Sequence, residues 1–229
     1  MIKKLFLVVA VSLMLFVVAC EDYPFPIDPG KNFGRVMITH ASPDAPNVDV
    51  YLDGKLFAED FAYPNSTRYT SLREGPYQLA LKPTGTDDTA LAAELDIVAK
   101  EYYSVFACDE LVNLSALVLN DDFGEPALEE AMVRFVHLSP NAPAVDITLT
   151  DGTVVFPDIE FKEATSFEPL QFGEYDLQVR VAGSEDVVLE LEDVKLLPHA
   201  AYTIWAKGFV GGEEGQELGA EIIFHKFLR

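Results

Sequence analysis

Cysteine is nearly absent from this 229-residue sequence, which has only Cys20 and Cys108. A disulfide framework is therefore excluded, as is any zinc site built on Cys-x-x-Cys; His-x-His spacing is missing too. Cations are also scarce: 16 Lys+Arg stand against 38 Asp+Glu, for a net charge of −22. Such a chain repels phosphate backbones, so nucleic acid is excluded as a partner, and lying flat on anionic lipid is disfavoured. No D-x-D-x-D-G calcium loop occurs. The glycines between Gly208 and Gly219 are interleaved with acids that would repel a phosphate. Beyond the first 19 residues no apolar run is long enough to span a bilayer, and no long stretch has the period of an amphipathic helix. What the chain does have is 49% hydrophobic residues, enough to exclude disorder.

The N-terminus reads as a processing segment. Lys3 and Lys4 precede an almost unbroken apolar stretch, Leu5 to Val18, which suits a signal peptide and is short for a membrane span. Val17-Val18-Ala19-Cys20 then resembles a bacterial lipobox, in which acyl chains are attached to the cysteine and cleavage occurs before it. Several acyl chains would hold the protein firmly, at about 0.8 kcal/mol per buried methylene. The expected boundaries are a lipoprotein signal peptide at 1–19 and a lipidated, Pro-rich tether at 20–32. The expected location is the bacterial cell envelope, with the outer membrane or cell surface favoured over the inner membrane.

The remainder is organised by a repeated stretch. His40-Ala-Ser-Pro-Asp-Ala-Pro-Asn-Val-Asp49 returns as His137-Leu-Ser-Pro-Asn-Ala-Pro-Ala-Val-Asp146, 97 residues on. In each copy an alternating apolar strand leads into the histidine. Prolines Pro43 and Pro46, or Pro140 and Pro143, then break the ladder into a loop. A second strand follows, ending at Asp53-Gly54 or Asp151-Gly152, the residues a tight hairpin needs. Further matched pairs are Gly75/Gly173, Tyr77/Tyr175, Tyr103/Tyr202 and Phe106/Trp205. Each copy predicts about seven short strands with turn signals at regular spacing. The expected fold is all-β, two tandem immunoglobulin-like antiparallel β-sandwiches, with a barrel as the alternative architecture. The expected boundaries are 33–122 for the first repeat, 123–130 for an acidic linker and 131–229 for the second.

The strings over residues 133–146, 151–152 and 173–179, with their counterparts over 35–49, 53–54 and 75–81, resemble the bacterial domain-of-unknown-function 4397 family. That resemblance implies extracytoplasmic β-sandwich modules, often in tandem, and brings no established activity.

The repeated His/Ser/Asp set invites a catalytic reading, with His40 or His137 as base, Ser42 or Ser139 as nucleophile and Asp49 or Asp146 as orienting carboxylate. That would make the protein an envelope hydrolase. Three features favour a structural reading. The histidines share a strand face with Val36, Ile38, Val133 and Phe135; the serines precede prolines in a rigid loop; and both copies keep the whole set. Prolines restrict the loop, and Ser and Asp side chains satisfy backbone groups that have left the ladder. No catalytic residue and no metal ligand is assigned. Calcium is the one cation whose taste for carboxylate and carbonyl oxygens fits loop acids such as Asp121 and Asp122. Cys108, aligned with Lys207, reads as a small buried filler. The function expected is a non-catalytic binding or structural module, held to the membrane through Cys20 and facing envelope proteins or glycans.

Overall fold

The computed structural model describes residues 32–228; the expected signal peptide, Cys20 and the tether as far as residue 31 lie outside them. The first unit contains β1 (Phe33–Ala41), β2 (Val48–Leu52), β3 (Lys55–Phe61), β4 (Thr70–Arg73), β5 (Gly75–Pro83), β6 (Leu91–Ile97), β7 (Tyr102–Cys108) and β8 (Ser115–Asn120). The second contains β9 (Glu130–His137), β10 (Val145–Leu149), β11 (Val154–Ile159), β12 (Glu168–Gln171), β13 (Gly173–Val181), β14 (Val187–Leu196), β15 (Ala200–Lys207) and β16 (Gly219–Phe227).

Each unit is a sandwich of two four-stranded sheets with matching orders. In the first the sheets are β4-β1-β7-β8 and β3-β2-β5-β6; in the second they are β12-β9-β15-β16 and β11-β10-β13-β14. The prolines explain the split. The chain leaves the first sheet after β1 or β9, turns through the Pro-containing corner, and re-enters in the opposite sheet as β2 or β10. Alternation then sets the two cores. Val36 and Ile38 meet Val50, Leu79 and Leu81 in the first. Val133 and Phe135 meet Ile147, Leu177 and Val179 in the second. Asp53 and Gly54 adopt φ of 48° and 71°, the left-handed pair required by the β2–β3 turn.

The two expected β-sandwiches are present, and the structure adds two details to them. Each unit has eight strands, because β4 and β12 are four-residue strands, too short and too exposed for a period to register. The sheets are not purely antiparallel either: β1 runs parallel to β7, and β9 parallel to β15. The corner takes the chain out of the sheet after a single strand, so that strand has no hairpin partner. It pairs with a strand arriving later in the same direction.

The two sandwiches are stacked by their inner sheets, β4-β1-β7-β8 against β12-β9-β15-β16. Almost every residue of β7 and β15 is buried, on both faces. The faces turned away from the sandwich cores supply Met37, Ala41, Phe106, Cys108, Val136, Leu138, Trp205 and Ile223, which form a third apolar core between the units. The arrangement has the form of a two-fold dimer contained in one chain. Equivalent residues Phe106 and Trp205 meet each other, with ring centroids 6.0 Å apart. Lys162, beside Phe161, pairs with Asp109, beside Cys108, at 2.5 Å. In the opposite sense Lys207, the counterpart of Cys108, lies 5.6 Å from the ring of Tyr63, the counterpart of Phe161. Contacts that recur with the partners exchanged are the mark of an isologous interface.

If this third core carries stability, Trp205→Ala lowers unfolding free energy by about 3–5 kcal/mol, as large-to-small changes in packed cores do. Phe172→Ala, at a site 49% exposed, shifts it by less than about 0.5 kcal/mol. Urea denaturation of both variants measures this, and equal effects would show that the seam adds nothing.

Candidate functional site

The repeated corner is held together by its own polar groups. The His137 Nε2–H points at the carbonyl of Pro143, 3.0 Å away, and its Nδ1 accepts the backbone N–H of Ser139 at 3.3 Å. Ser139 donates its hydroxyl hydrogen to the carbonyl of Gly208 at 2.6 Å. His40 makes the matching contact to the Pro46 carbonyl at 3.1 Å, while Ser42 Oγ lies 3.4 Å from an Asp44 carboxylate oxygen. Burial holds both imidazoles below the ordinary histidine pKa, against the opposing pull of the proline carbonyls. Asp146 accepts the N–H of Asp158 at 2.7 Å and of Gly183 at 2.9 Å. Asp49 accepts the N–H of Asp60 at 2.9 Å and the hydroxyl of Thr84 at 3.2 Å. Asp60 and Asp158 sit at positive φ, 48° and 49°, so each repeated aspartate clamps the irregular end of the neighbouring strand. The structure brings histidine and serine into one corner and sends the aspartate elsewhere. No His–Ser–Asp relay forms in either copy.

A second polar assembly lies in the seam between the units. Arg134 of β9 and Asp121, just after β8, form an ion pair at 2.6 Å with side chains only 3% and 0% exposed. Arg134 Nε–H donates to Thr203 Oγ1 at 2.9 Å, and the Thr203 hydroxyl lies 2.6 Å from His225 Nε2. His225 Nδ1 is 2.8 Å from the Tyr69 hydroxyl, which donates to Asp121 Oδ2 at 2.5 Å. Ser104 adds a further donor to Asp121 at 2.9 Å. The donors run one way around this ring only if His225 is neutral, with its proton on Nδ1 and its Nε2 accepting from Thr203. Its surroundings enforce that form: burial first, then the charges of Arg134 and Lys226, lower its pKa to about 3. Burial lowers the pKa of Arg134, and Asp121 opposes the shift. Tyr69 is pushed above the ordinary phenol range by burial and by the Asp121 carboxylate.

None of these ring residues belongs to the repeated motif, and the sequence marks Asp121 only as a loop acid of the kind calcium takes. The signal that identifies them is disagreement between the copies. Met37 is the counterpart of Arg134, Phe167 of Tyr69, and Asp121 of His225 in strand register. Polar residues at core positions in one copy, with apolar or uncharged partners in the other, mark an interface that is not symmetric in detail. The expected linker is likewise part of the seam: Phe123 is buried with Met132, Phe167 and Ala201. Cys108 is a buried member of the third core, its thiol pushed up to about 11 by burial.

Two ring residues, Tyr69 and His225, also line a groove of about 710 Å³ formed by Met37, Pro64–Tyr69, Trp205 and Glu221–His225. Among the described residues no group of three or more His, Cys, Asp or Glu side chains is placed to hold a metal ion. No helix among them is long and apolar enough to cross a membrane.

Arg134→Met, which installs the residue of the first copy, strands Asp121 in the seam and is expected to cost about 3–5 kcal/mol; adding Asp121→Asn recovers much of that. Acid acts through His225, whose unfolded pKa is 6.5 and whose folded pKa is about 3. The unfolded chain therefore takes up the proton first. Stability from this group is complete above the unfolded value and falls as pH drops through the window between the two, by up to about 1.4 kcal/mol per pH unit. Urea midpoints measured across this range are expected to fall less steeply for His225→Gln than for the native chain; parallel slopes would remove His225 as the cause.

Comparison with known proteins adds one firm relationship. The profile of a domain of unknown function, DUF4397, matches residues 34–148, a span that covers the first unit and runs into β10 of the second. No curated protein matches the chain. Among solved structures it is similar to the Bacillus anthracis TIE protein at 11% identity and a TM-score of 0.27, covering 84% of this chain and 44% of that one. It is also similar to CBMbc, a family CBM26 module of Eubacterium rectale Amy13K solved with maltoheptaose, at 9% identity and a TM-score of 0.26, covering 84% and 97%. The chain thus spans less than half the length of the first of these, and scores of this size carry no argument about function. With the repeated corner present on β1 and β9 and the profile matched over half its length, the chain belongs to the DUF4397 family, whose function is unknown.

Proposed function

We propose that this protein is a lipid-anchored envelope protein whose two family modules, fused through one seam, act as a rigid non-catalytic binding body for envelope proteins or glycans. The observation that carries the non-catalytic part is the corner of the second unit. Both ring nitrogens of His137 and the hydroxyl of Ser139 are committed to backbone partners. A base needs a nitrogen free to take the nucleophile's proton, and a nucleophile needs its hydroxyl aimed at that nitrogen. Neither condition is met by these groups, and Asp146 is engaged with Asp158 and Gly183. The anchoring part rests on the apolar stretch Leu5–Val18 and on Val17-Val18-Ala19-Cys20. Acyl chains on Cys20 would attach the body to a bilayer that its large excess of Asp and Glu would otherwise avoid. Outer-membrane or surface placement is the favoured reading of the acidic pair Glu21-Asp22 after the cysteine, which resembles a surface-export signal in some bacteria and an inner-membrane retention signal in others.

Two measurements test this reading. Cys20→Ser should abolish labelling by a radioactive fatty acid and release the protein from the membrane fraction; a labelled or membrane-retained variant would overturn the anchor. His137→Ala should lower the melting temperature through loss of a buried hydrogen bond, costing about 1–3 kcal/mol. A variant of native stability that had lost a measurable hydrolytic turnover would instead place the histidine in catalysis.

A further inference from the structure

Taking the binding-body reading as its basis, we propose that the groove between β16 and the Pro64–Tyr69 segment is a docking site for an extended, acidic or neutral peptide of another protein, which adds to β16 as a further strand. β16 is the last strand in the order β12-β9-β15-β16, so its outer edge carries backbone donors and acceptors without a ladder partner. Five successive residues of that strand, Glu221–His225, line the groove. Successive side chains on a strand point to opposite faces, so what these five share at the groove is the backbone edge itself. They offer about 17 Å of it, at about 3.4 Å per residue. Unpaired backbone is matched best by other backbone, which is how peptides add to sheet edges elsewhere.

Three further observations fix the kind of occupant. The floor holds Trp205, a fully buried aromatic side chain over which an occupant would lie. Along one side of β16, Ile222, Phe224 and Phe227 are 45%, 48% and 58% exposed, an apolar row that alternate side chains of an added strand would cover. Charge favours acidic over basic side chains: Arg68 stands on the facing wall, and Glu221 is already paired with Lys207 at 2.7 Å.

The internal two-fold supplies a control. The equivalent groove, along the end of β8, measures about 370 Å³ and is formed in part by Asp122 and Gly124 of the connection from β8 to β9. There the chain itself contributes a segment to the groove; the groove along β16 measures about 710 Å³. A second copy of this protein fits less well than a single peptide. Pro64–Tyr69 faces that edge across the groove, so a partner copy adding edge to edge would bring its own Pro64–Tyr69 segment against it.

Short random peptides displayed on phage, panned against the full chain in detergent, provide the probe. Enriched sequences are then synthesised with a fluorophore and measured by anisotropy. Expected are peptides with alternating apolar residues and acidic positions, whose binding shifts the emission of Trp205, the only tryptophan. N-methylation of alternate peptide nitrogens should weaken them by about tenfold, the effect of losing about 1.4 kcal/mol of backbone hydrogen bonding. Ile222→Lys and Arg68→Glu should each weaken binding several-fold. The proposal is overturned if no sequence is enriched, if the N-methylated peptides bind as well as their parents, or if the chain sediments as a dimer that Ile222→Lys dissociates. Because the probe is independent of the anchor, its failure leaves the Cys20 result untouched, and a failed Cys20 result does not decide the groove.

Discussion

Neither sandwich can bury its inner sheet alone. A strand half-buried in a sandwich alternates apolar and polar residues, whereas Tyr103–Cys108 and Ala200–Ala206 are buried at every position. The outward faces of β1, β7, β9 and β15 are thus apolar surfaces that water would contact in a separated unit. Closing them on each other removes the side chains of Phe106, Trp205, Val136 and Leu138 from solvent, at roughly 1.5–3 kcal/mol for each large side chain. The rest of the molecule is arranged around that closure. The linker is short and partly buried, the two units share one apolar core, and the polar ring is set into a seam that is mainly apolar.

The ring also shows what fusing two like units into one chain permits. A symmetric dimer places the same residue at both related positions, so one buried arginine would demand a second, with its own carboxylate. Here Arg134 faces Asp121, while the related positions hold Met37 and His225. One ion pair is buried in place of two, and the second site is filled by a methionine and a neutral histidine. Apolar faces tolerate sliding because hydrophobic burial has no direction. Partners that must meet at 2.5 to 2.9 Å around a closed path are satisfied in one register only. The ring therefore defines the placement of the two sheets, while the surrounding aromatic and aliphatic side chains supply most of the free energy.

The sequence disclosed what depends on local chemistry. Paired prolines, Asp-Gly turns and period-two alternation are read within a dozen residues, so both sandwiches, the corner after β1 and β9, and the burial of His40 and His137 were accessible from the chain alone. What escaped depends on residues distant in sequence. Nothing local to Tyr69 points to His225, which bonds it from the far end of the second unit. Asp121 looks like any acid in an acidic run until Arg134 is placed beside it. The parallel pairing of β1 with β7 is hidden for the same reason: strands far apart in sequence leave no turn signal between them. The inner-strand runs Tyr103–Cys108 and Ala200–Ala206 did carry a hint, since apolar residues at successive positions indicate burial on both faces. A sandwich with one solvated face has no use for that.

The same closure bears on recognition. A groove formed between two flexibly linked domains must be ordered each time it is filled, and the free energy of ordering is subtracted from affinity. In this chain one wall of the groove comes from the first unit and the edge strand from the second, and the seam between them is fixed by a packed core and by the ring that ends in Tyr69 and His225. Both residues also line the groove. The spacing of wall and strand is therefore set during folding, before anything binds. A change that loosens the ring, such as protonation of His225, should widen or distort the groove without touching the residues on its rim. Stability of the seam and readiness of the groove are then two consequences of one arrangement.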